Sequence, residues 1–499
     1  MSTLADALRV AAHDTPDRVL IVDGDIDLTA AALYRQAGAL ATEMSRRMPA
    51  GSVVSFMLPN WHEAAIVYLG ATMAGMVVNP ILPSLRDSEL QFILTDADVR
   101  MIVIPRQFRG FDYAAMLSRV KAAMSSPPEV VVVRGEHPGQ TALPELLAEP
   151  PVDPVDLDPA AVRMIMYTSG TTGRAKGVLH SHDSIQALIR QIGEHWRIDA
   201  GDTFLVPSPI AHIGGSIYAF ECPLLLGSVA VLMEKWDPDE AVALMQARRC
   251  THMAGATPFL DGLLGAAERA GSRLPDLKVF ICGGASVPPS LIRRATGYFE
   301  KATVTRVYGS TEVPVSTVGS PEDADRAAHT DGHAGVADIT IVDGEIRVRG
   351  PQMLTGYLHD EDAVEAFDDN GYFRTGDLGH LTADGHLVVT GRAKDIIIRN
   401  GENISPKEVE DILIGHPGIA EIAVVGIPDP RTGERACAVI VASGPDVPDV
   451  GDLRDLLKTH GLATFKAPEQ VAVWDSLPKN DAGKVLKHQI RATLTKGLN

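Results

Sequence analysis

The sequence predicts an α/β protein with a large N-terminal domain of helix-covered sheets and a small α+β domain at the C-terminus. Its 499 residues are 45% hydrophobic, which suffices for large cores and, at about 150 residues per domain, for roughly three folding units. Helical patterns alternate with short apolar runs over residues 1–160, as in parallel sheets covered by helices. Near the C-terminus, alternating strand patterns and a final helix indicate a separate, smaller module.

The spacing of apolar residues predicts the first elements. Residues 4–12, 30–48 and 63–73 repeat apolar side chains at helical intervals, whereas 52–57 is a short apolar run typical of a buried strand. The uncharged run 64–85 is long enough to span a bilayer, but it contains glycines and prolines. We therefore expect a buried helix followed by a buried strand there.

Composition excludes several classes of protein. The formal net charge is −19, whereas nucleic acids and anionic membranes bind basic surfaces. The 4 cysteines form no C-x-x-C pair, so neither a disulfide framework nor a zinc site is indicated. The N-terminus has no apolar signal segment. We expect a cytoplasmic protein with no nucleic-acid partner and no stable membrane insertion, for which a homodimer is a compatible state.

Residues 167–177 read Tyr-Thr-Ser-Gly-Thr-Thr-Gly-Arg-Ala-Lys-Gly and predict a phosphate-binding loop. Glycines let backbone N–H groups face an anion, and hydroxyls and two cations add to its binding. Apolar alternation before the loop and helical spacing after it predict that the loop joins a strand to a helix. A P-loop NTPase would need glycine at Ala175 and a hydroxyl residue at Gly177.

The order of residues in this loop resembles the signature loop of the adenylate-forming (ANL) superfamily, which includes acyl-CoA synthetases of the AMP-dependent synthetase and ligase family. Four further motifs support the resemblance, which extends from about residue 160 to residue 487. It implies an ATP/AMP-binding role for the loop, with Thr171 also contributing to catalysis. The loop residues concerned are Thr168, Ser169, Gly170, Thr171, Thr172, Gly173 and Lys176.

His212 lies between two prolines and a glycine pair in the segment 207–215. The corresponding motif of the superfamily lies against the carboxylate substrate, which favours His212 as a catalytic and pocket-wall residue. Small neighbours such as Gly214 and Gly215 predict a roomy pocket. The expected acyl pocket comprises His212, Gly214, Gly215, Thr257, Gly284 and Tyr308.

Two strands, at 278–282 and 303–307, run into loops that should open at the same sheet edge. The second loop, Tyr308-Gly309-Ser310-Thr311-Glu312, resembles a nucleotide-binding motif of the superfamily. Tyr308 is suited to stack on the purine, with Gly283, Gly284 and Ala285 on the other face. Glu312 offers an oxygen ligand for Mg²⁺ and is a candidate catalytic residue.

The motifs at Asp377 and Arg392 resemble those that bind ribose in the superfamily. Asp377 would accept hydrogen bonds from both ribose hydroxyls, Arg392 would reach the ribose, and Lys394 would be the hinge of a mobile small domain. We therefore divide the chain into an adenylation domain at 1–391, a hinge at 392–394 and a lid domain at 395–499.

In the small domain, Ser405-Pro406-Lys407-Glu408 predicts a capping box at the start of a helix. The resemblance assigns Lys484 to the bridge between the substrate carboxylate and the nucleotide. It also assigns Gly401, Glu402 and Asn403 to the channel for the coenzyme A thiol.

Together these motifs imply an ATP-dependent carboxylic acid–CoA ligase. The acid would form acyl-AMP with release of pyrophosphate, and the acyl group would then pass to coenzyme A. The implied cofactors are ATP and Mg²⁺, with coenzyme A as co-substrate and a small carboxylic acid as partner. An acyl-adenylate ligase that loads a carrier protein and a non-catalytic adenylate-binding protein are the alternatives. The sequence leaves linear, alicyclic and aromatic acids open.

Overall fold

The computed structural model describes residues 3–169, 174–284, 287–319, 323–481 and 483–496. Within these ranges the α-helices are α1 (Leu4–Asp14), α2 (Ala30–Arg47), α3 (His62–Met73), α4 (Asp87–Asp96), α5 (Tyr113–Ala122), α6 (Leu143–Leu146), α7 (His182–His195), α8 (Ile213–Ser216), α9 (Cys222–Leu225), α10 (Pro238–Ala247), α11 (Thr257–Ala270), α12 (Pro289–Tyr298), α13 (Ala324–His329), α14 (Pro406–Leu413), α15 (Val450–Thr459) and α16 (Lys487–Lys496). A π-helical turn covers Ile217–Glu221, and 3₁₀ turns cover Asp360–Asp362, Ala393–Asp395 and Thr464–Lys466.

The strands are β1 (Val19–Asp23), β2 (Ile26–Thr29), β3 (Val53–Phe56), β4 (Val77–Pro80), β5 (Val99–Pro105), β6 (Gln107–Phe108), β7 (Phe111–Asp112), β8 (Glu129–Val133), β9 (Thr141–Ala142), β10 (Val162–Ser169), β11 (Ala175–Ser181), β12 (Thr203–Val206), β13 (Val229–Leu232), β14 (His252–Gly255), β15 (Val279–Gly283), β16 (Thr303–Val307), β17 (Thr317–Val318), β18 (His333–Ala334), β19 (Asp338–Val342), β20 (Glu345–Arg349), β21 (Gly356–Tyr357), β22 (Phe373–Leu381), β23 (Leu387–Arg392), β24 (Ile397–Arg399), β25 (Glu402–Ile404), β26 (Ile419–Asp429), β27 (Gly433–Ala442) and β28 (Gln470–Val473).

Two mainly parallel sheets form the large N-terminal part. One has the strand order β16-β15-β14-β12-β13-β1-β2, and the other has the order β21-β11-β10-β4-β3-β5-β8-β9. Apolar side chains of both sheets meet those of α1, α2, α3 and α7 in one continuous core. This architecture confirms the predicted α/β class, because helices cover parallel sheets that are apolar on both faces.

Helix α3 is buried along nearly its whole length, and β4 follows it in the core. This confirms the prediction of a buried helix and a buried strand for the uncharged run 64–85. Among the described residues, no helix is both long and apolar enough to cross a membrane.

The phosphate-loop segment differs from the prediction. Strands β10 and β11 pair antiparallel, with Thr168 opposite Lys176, so the loop joins two strands of a hairpin. Helix α7 begins at His182, directly after β11. The expected strand-to-helix connection was therefore wrong. The seven-residue β11 carries no clear period of its own, and it is stabilised as a strand by β10 on one side and β21 on the other.

A four-stranded antiparallel sheet, β19-β20-β22-β23, connects the large domain to the C-terminal part. The C-terminal part is a separate sheet, β25-β24-β27-β26 with β28 beside β27, packed against α14, α15 and α16. This confirms the predicted small α+β domain. Pro406 begins α14 as expected, but Ser405 does not cap the helix, because its hydroxyl donates to the Thr390 carbonyl at 2.6 Å. The predicted capping box is therefore wrong.

A buried ion pair fixes the strand that leads into the phosphate loop. Arg163 on β10 pairs with Glu221 at the end of the π-helical turn, and both side chains are almost fully buried. Tyr68 of α3 donates its hydroxyl to Glu221 at 2.6 Å and accepts from Arg163 at 3.0 Å. Burial and the Glu221 carboxylate both raise the pKa of Tyr68, so the phenol stays protonated.

Replacing Glu221 by alanine should therefore leave Arg163 as an uncompensated buried charge. We expect the Glu221→Ala change to lower the free energy of unfolding by about 3–5 kcal/mol. Urea unfolding followed by circular dichroism measures the change. Glu268→Ala, which removes a surface pair with Arg294, is the matched control and should cost less than about 1 kcal/mol. Equal effects of the two substitutions would contradict the role given to Glu221.

Candidate active site

The centre of the candidate site is Asp377, which is held between Tyr308 and Arg392. The antiparallel register of β22 and β23 places Asp377 directly opposite Arg392. Arg392 Nε donates to Asp377 Oδ1 at 2.6 Å, and Tyr308 donates its hydroxyl to Asp377 Oδ2 at 2.8 Å. Three residues from separate predicted motifs therefore form one cluster.

Burial and charge fix the protonation of this cluster. Burial raises the pKa of Tyr308, and the Asp377 carboxylate raises it further, so Tyr308 is a neutral hydrogen-bond donor. Burial alone would lower the pKa of Arg392, but the hydrogen bond and charge of Asp377 raise it above its ordinary value. The cluster is thus an ion pair with a phenol donor, and it presents polar atoms suited to a ribose.

Lys484 extends from the small domain toward this cluster. Burial among protein atoms lowers the pKa of Lys484, and the positive charges of Arg392 and Lys394 lower it further, whereas Asp377 opposes them. Lys484 nevertheless has accessible surface. An anion that reached it would meet a lysine whose charge is not balanced by its neighbours, because burial and the nearby cations outweigh Asp377.

The carboxyl ends of β15 and β16 bring the two predicted glycine-containing loops together. The strands are parallel neighbours, which confirms that both loops open at one sheet edge. A Cβ on Gly283 would lie 2.4 Å from Val307 Cγ1, and one on Gly309 would lie 2.6 Å from the Val315 nitrogen. Gly284 has a φ of +80° and no atom within 4 Å of a Cβ position, so its surroundings are open.

Ser310 and Thr311 make local contacts that shape the turn after Tyr308. The Val313 N–H donates to the Ser310 hydroxyl at 3.3 Å. The Thr311 carbonyl lies 2.7 Å from His180 Nε2, and burial lowers the pKa of His180 to about 4, so a neutral ring donates this bond. His180 thus supports the turn from β11.

The cations of the phosphate loop are held by an acidic residue. Arg174 Nη2 lies 2.8 Å from Asp362 Oδ2, and Lys176 Nζ lies 3.5 Å from Asp362 Oδ1. Lys176 also lies 5.3 Å from the centre of the Tyr357 ring, and the Tyr357 hydroxyl donates to Glu312 at 3.4 Å. The ring of Tyr357 therefore connects Lys176 to Glu312.

Several predicted nucleotide-binding residues lie outside the described part of the chain. They are Gly170, Thr171, Thr172, Gly173 and Ala285, together with the side chain of Ser169. Thr168 lies within the described part of the chain, in the β10–β11 hairpin, where it is paired with Lys176.

His212 and its segment are fixed by Asn60. The Asn60 amide donates to the carbonyls of Val206 and Ser208 at 3.0 and 2.9 Å, and its oxygen accepts from the Ile210 N–H at 3.1 Å. Burial lowers the pKa of His212, and its buried Nε2 has no partner among the described residues. The ring is therefore a neutral group with an unused hydrogen-bonding atom.

The two glycines after His212 differ in their surroundings. Gly214 has no atom within 4 Å of a Cβ position, in agreement with the expected roominess. Gly215 does not contribute space, because a Cβ there would lie 2.2 Å from the Pro209 carbonyl oxygen. Thr257 begins α11, and its neighbour Pro258 lies against Gly483 of the small domain.

The residues predicted for the thiol channel form an exposed hairpin. Asn400 and Gly401 have φ values of 51° and 82°, as in a two-residue turn that matches the strand twist, and Arg399 pairs with Glu402 across it. Glu402 and Asn403 are exposed. The predicted hinge residue Lys394 is also exposed, in the 3₁₀ turn that follows β23.

Sequence reasoning missed Asn60, His180 and Asp362. Asn60 follows a proline in a short polar turn, and His180 lies in a strand mistaken for the start of a helix, so neither gave a separate signal. Asp362 belongs to an acidic run, which is typical of a solvated surface.

Comparison with known proteins agrees with this geometry. The AMP-binding enzyme family model matches residues 8–358, and the AMP-binding enzyme C-terminal domain model matches residues 408–484. The medium-chain fatty-acid–CoA ligase of Escherichia coli K12 is 32% identical over 100% of this chain and 91% of that protein. The 2,3-dihydroxybenzoate-AMP ligase of Bacillus subtilis is 30% identical over 99% and 94%. The ATP-bound structure of MatB from Rhodopseudomonas palustris superposes with a TM-score of 0.88, at 28% identity over 100% of both chains.

The fold and the site thus define an adenylate-forming enzyme, as the resemblance implied. The chain belongs to the AMP-binding enzyme family. It is an AMP-forming acid–CoA ligase, and like other members of this family it uses ATP.

Removing the charge of Asp377 should weaken nucleotide use. The Asp377→Asn change replaces one of the two acceptor oxygens by an NH₂ donor and removes the charge, so Arg392 and Tyr308 no longer share a carboxylate. In the ribose-binding role it also loses hydrogen bonds to a charged group. We expect KM for ATP to rise at least about 30-fold, which corresponds to about 2 kcal/mol or more. Steady-state kinetics with varied ATP measures it. Asp384→Asn, in the exposed turn between the same strands, should leave KM unchanged. An unchanged KM in Asp377→Asn would show that Asp377 is only structural.

Proposed function

We propose that the chain performs both half-reactions of an acyl-CoA synthetase and that the described arrangement is the one that forms the adenylate. The observation that carries this proposal is the convergence of Lys484, from the small domain, on the Asp377–Arg392 pair of the large domain. A lysine placed there adjoins both the ribose position and the α-phosphate of a bound nucleotide. It would neutralise the charge that develops between the attacking carboxylate and the α-phosphate.

In the first half-reaction a carboxylate oxygen of the acid attacks the α-phosphorus of ATP. The bond from this phosphorus to the β-phosphate bridging oxygen breaks, and pyrophosphate leaves with the bonding electrons. Tyr308 and the open backbone at Gly284 would hold the adenine, and Asp377 and Arg392 the ribose. Residues 168–176 would bind the pyrophosphate, with Lys176 exchanging Asp362 for phosphate oxygens.

Glu312 fits a magnesium ion, because it offers a carboxylate, and the described contact of that carboxylate is a long one with Tyr357. The ion would stabilise charge on the phosphates. Lys176 lies near the same Tyr357 ring, which supports a shared role for this cation and the Glu312 carboxylate at the phosphates.

In the second half-reaction the thiol sulfur of coenzyme A attacks the acyl carbonyl carbon. The bond from this carbon to the phosphate oxygen breaks, AMP leaves, and the thiol proton passes to solvent. We propose that the domain at 395–499 rotates about the hinge at 392–394, relative to the domain at 1–391, and brings Gly401, Glu402 and Asn403 to the channel. The exposed position of this hairpin and of Lys394 supports such a motion.

We propose an acid with an uncharged acyl group, bound beside His212, Gly214, Thr257, Gly284 and Tyr308. Among the described residues, the charge that acts on His212 is that of the acidic Asp481. A second carboxylate would therefore meet a like charge. A panel of carboxylic acids with ATP and coenzyme A, read by mass spectrometry of the thioester, tests both the reaction and the acid. Absence of acid-dependent pyrophosphate release across a broad panel would overturn the proposal.

Lys484 should act in one half-reaction only. We expect Lys484→Ala to slow acid-dependent pyrophosphate formation at least about 100-fold, because no other cation replaces it at the α-phosphate. Thioester formation from supplied acyl-AMP and coenzyme A should stay within about twofold. Lys458→Ala, at an exposed site on α15, is the control. Equal loss in both half-reactions would contradict this division.

The hinge should tolerate side-chain changes but not proline. Proline fixes φ near −65°, which restricts the backbone rotation required between the two half-reactions. We expect Lys394→Pro to retain pyrophosphate formation and to lose most thioester formation from supplied acyl-AMP, whereas Lys394→Ala retains both. A folded Lys394→Pro variant that makes thioester at the wild-type rate would rule out a mechanism in which the small domain adopts a different position for each half-reaction.

A further inference from the structure

Hydrogen bonds join Asn480 to Gly483 and Lys484 in the loop that carries Lys484. The Asn480 N–H donates to the Lys484 carbonyl at 2.9 Å, and the Asn480 side-chain oxygen accepts from the Lys484 N–H at 2.8 Å. Gly483 donates to the Asn480 carbonyl at 2.8 Å and has a φ of +80°, which favours glycine. Because these bonds close the turn, a contact that holds its tip also positions Lys484.

The tip of this turn contacts the large domain at Asp481. The hydroxyl of Ser84, in the segment between β4 and α4, donates to the Asp481 carboxylate across 397 residues of sequence. Both residues are exposed, so neither is required by the core of its own domain.

Ser84 itself lies in a segment with a fixed position. The Tyr113 hydroxyl donates to the Pro83 carbonyl at 2.8 Å, and Arg86 donates to the carbonyls of Pro83 and Leu85 at 3.0 and 2.8 Å. The Arg86 guanidinium in turn lies 4.2 Å from the centre of the Phe111 ring. These contacts therefore fix the position of the Ser84 hydroxyl on the surface of the large domain.

A second contact lies on the other side of the turn. A Cβ on Gly483 would lie 3.2 Å from Pro258 Cγ, so the turn is close to the start of α11. The turn is thus located between the Ser84 segment and α11, and the charges of Arg392 and Asp377 act on the pKa of Lys484.

We propose that Ser84 and Asp481 form an interdomain latch that positions Lys484 for adenylation and opens for thioester formation. This inference rests on the proposed function. Asp481 and Ser84 act as positioning residues, because they adjust the placement of Lys484 and take no part in the chemistry. The negative charge of Asp481 also acts on His212, whose pKa it raises. The effect of the hydrogen bond to Ser84 and the effect of this charge can be separated by substitution.

The separation uses three variants. Ser84→Ala removes the hydrogen bond and keeps the charge, Asp481→Asn keeps an oxygen acceptor for Ser84 and removes the charge, and Asp481→Ala removes both. Ser88→Ala, at an exposed position in α4, is the control. Both half-reactions are measured separately, as acid-dependent pyrophosphate formation and as thioester formation from supplied acyl-AMP.

We expect Ser84→Ala and Asp481→Ala each to slow pyrophosphate formation about three- to tenfold, the size expected for one ordinary hydrogen bond between exposed groups. The Ser84→Ala/Asp481→Ala double variant should be no slower than the slower single variant, because the two residues share one contact. Asp481→Asn should retain most of the rate. Thioester formation from acyl-AMP should be unchanged or faster in every variant, a result that a general loss of structure would not give.

Other outcomes overturn the latch. Unchanged pyrophosphate formation in Ser84→Ala, additive effects in the double variant, or equal slowing of both half-reactions would each do so. A loss in Asp481→Asn as large as in Asp481→Ala, with Ser84→Ala unaffected, would show that the charge acts on His212 without a latch. If the wild-type protein formed no acyl-adenylate from any acid, the proposed function would fail instead, and the two failures are thus distinguishable.

Discussion

The candidate site depends on the ion pair between Asp377 and Arg392. The two residues lie opposite each other on neighbouring strands. Arg392 is the last residue of β23, and the 3₁₀ turn at the proposed domain boundary follows it directly. Tyr308, which follows β16 of the seven-stranded sheet, donates to the same carboxylate. One carboxylate therefore links the nucleotide side of the large domain, the connecting sheet and the start of the small domain. A partly buried, hydrogen-bonded pair of this kind fixes the geometry on both sides.

The protein has an acidic composition, and it keeps its anion-binding cations paired with acidic residues. Asp362 holds Arg174 and Lys176, while Asp377 holds Arg392. Lys484 differs, because both burial and neighbouring positive charge lower its pKa. Binding of a polyphosphate would exchange these carboxylates for phosphate oxygens, which form hydrogen bonds of the same charge-assisted kind. The net charge of −19 is thus compatible with a site for ATP.

Neutral groups complete the site. The rings of His180 and His212 are uncharged because burial lowers the pKa of each, and His180 Nε2 donates to the Thr311 carbonyl. Asn60 places the His212 segment through three backbone contacts. Such supports decide where the reacting groups lie, although they carry no charge of their own.

The sequence by itself determined the α/β class, the small C-terminal domain and, through its motifs, the family, because periodicity and local order encode these features directly. It did not determine that β11 is a strand, that Ser405 bonds to Thr390 instead of capping α14, or that Gly215 packs against Pro209. It also gave no signal for Asp362 beside Lys176 or for Ser84 beside Asp481. Each of these depends on contacts between segments far apart in the chain, and a local pattern contains no information about which distant group will satisfy a hydrogen bond or a charge. Only the tertiary structure decided them, since burial and pairing are set by the packing of whole sheets and domains.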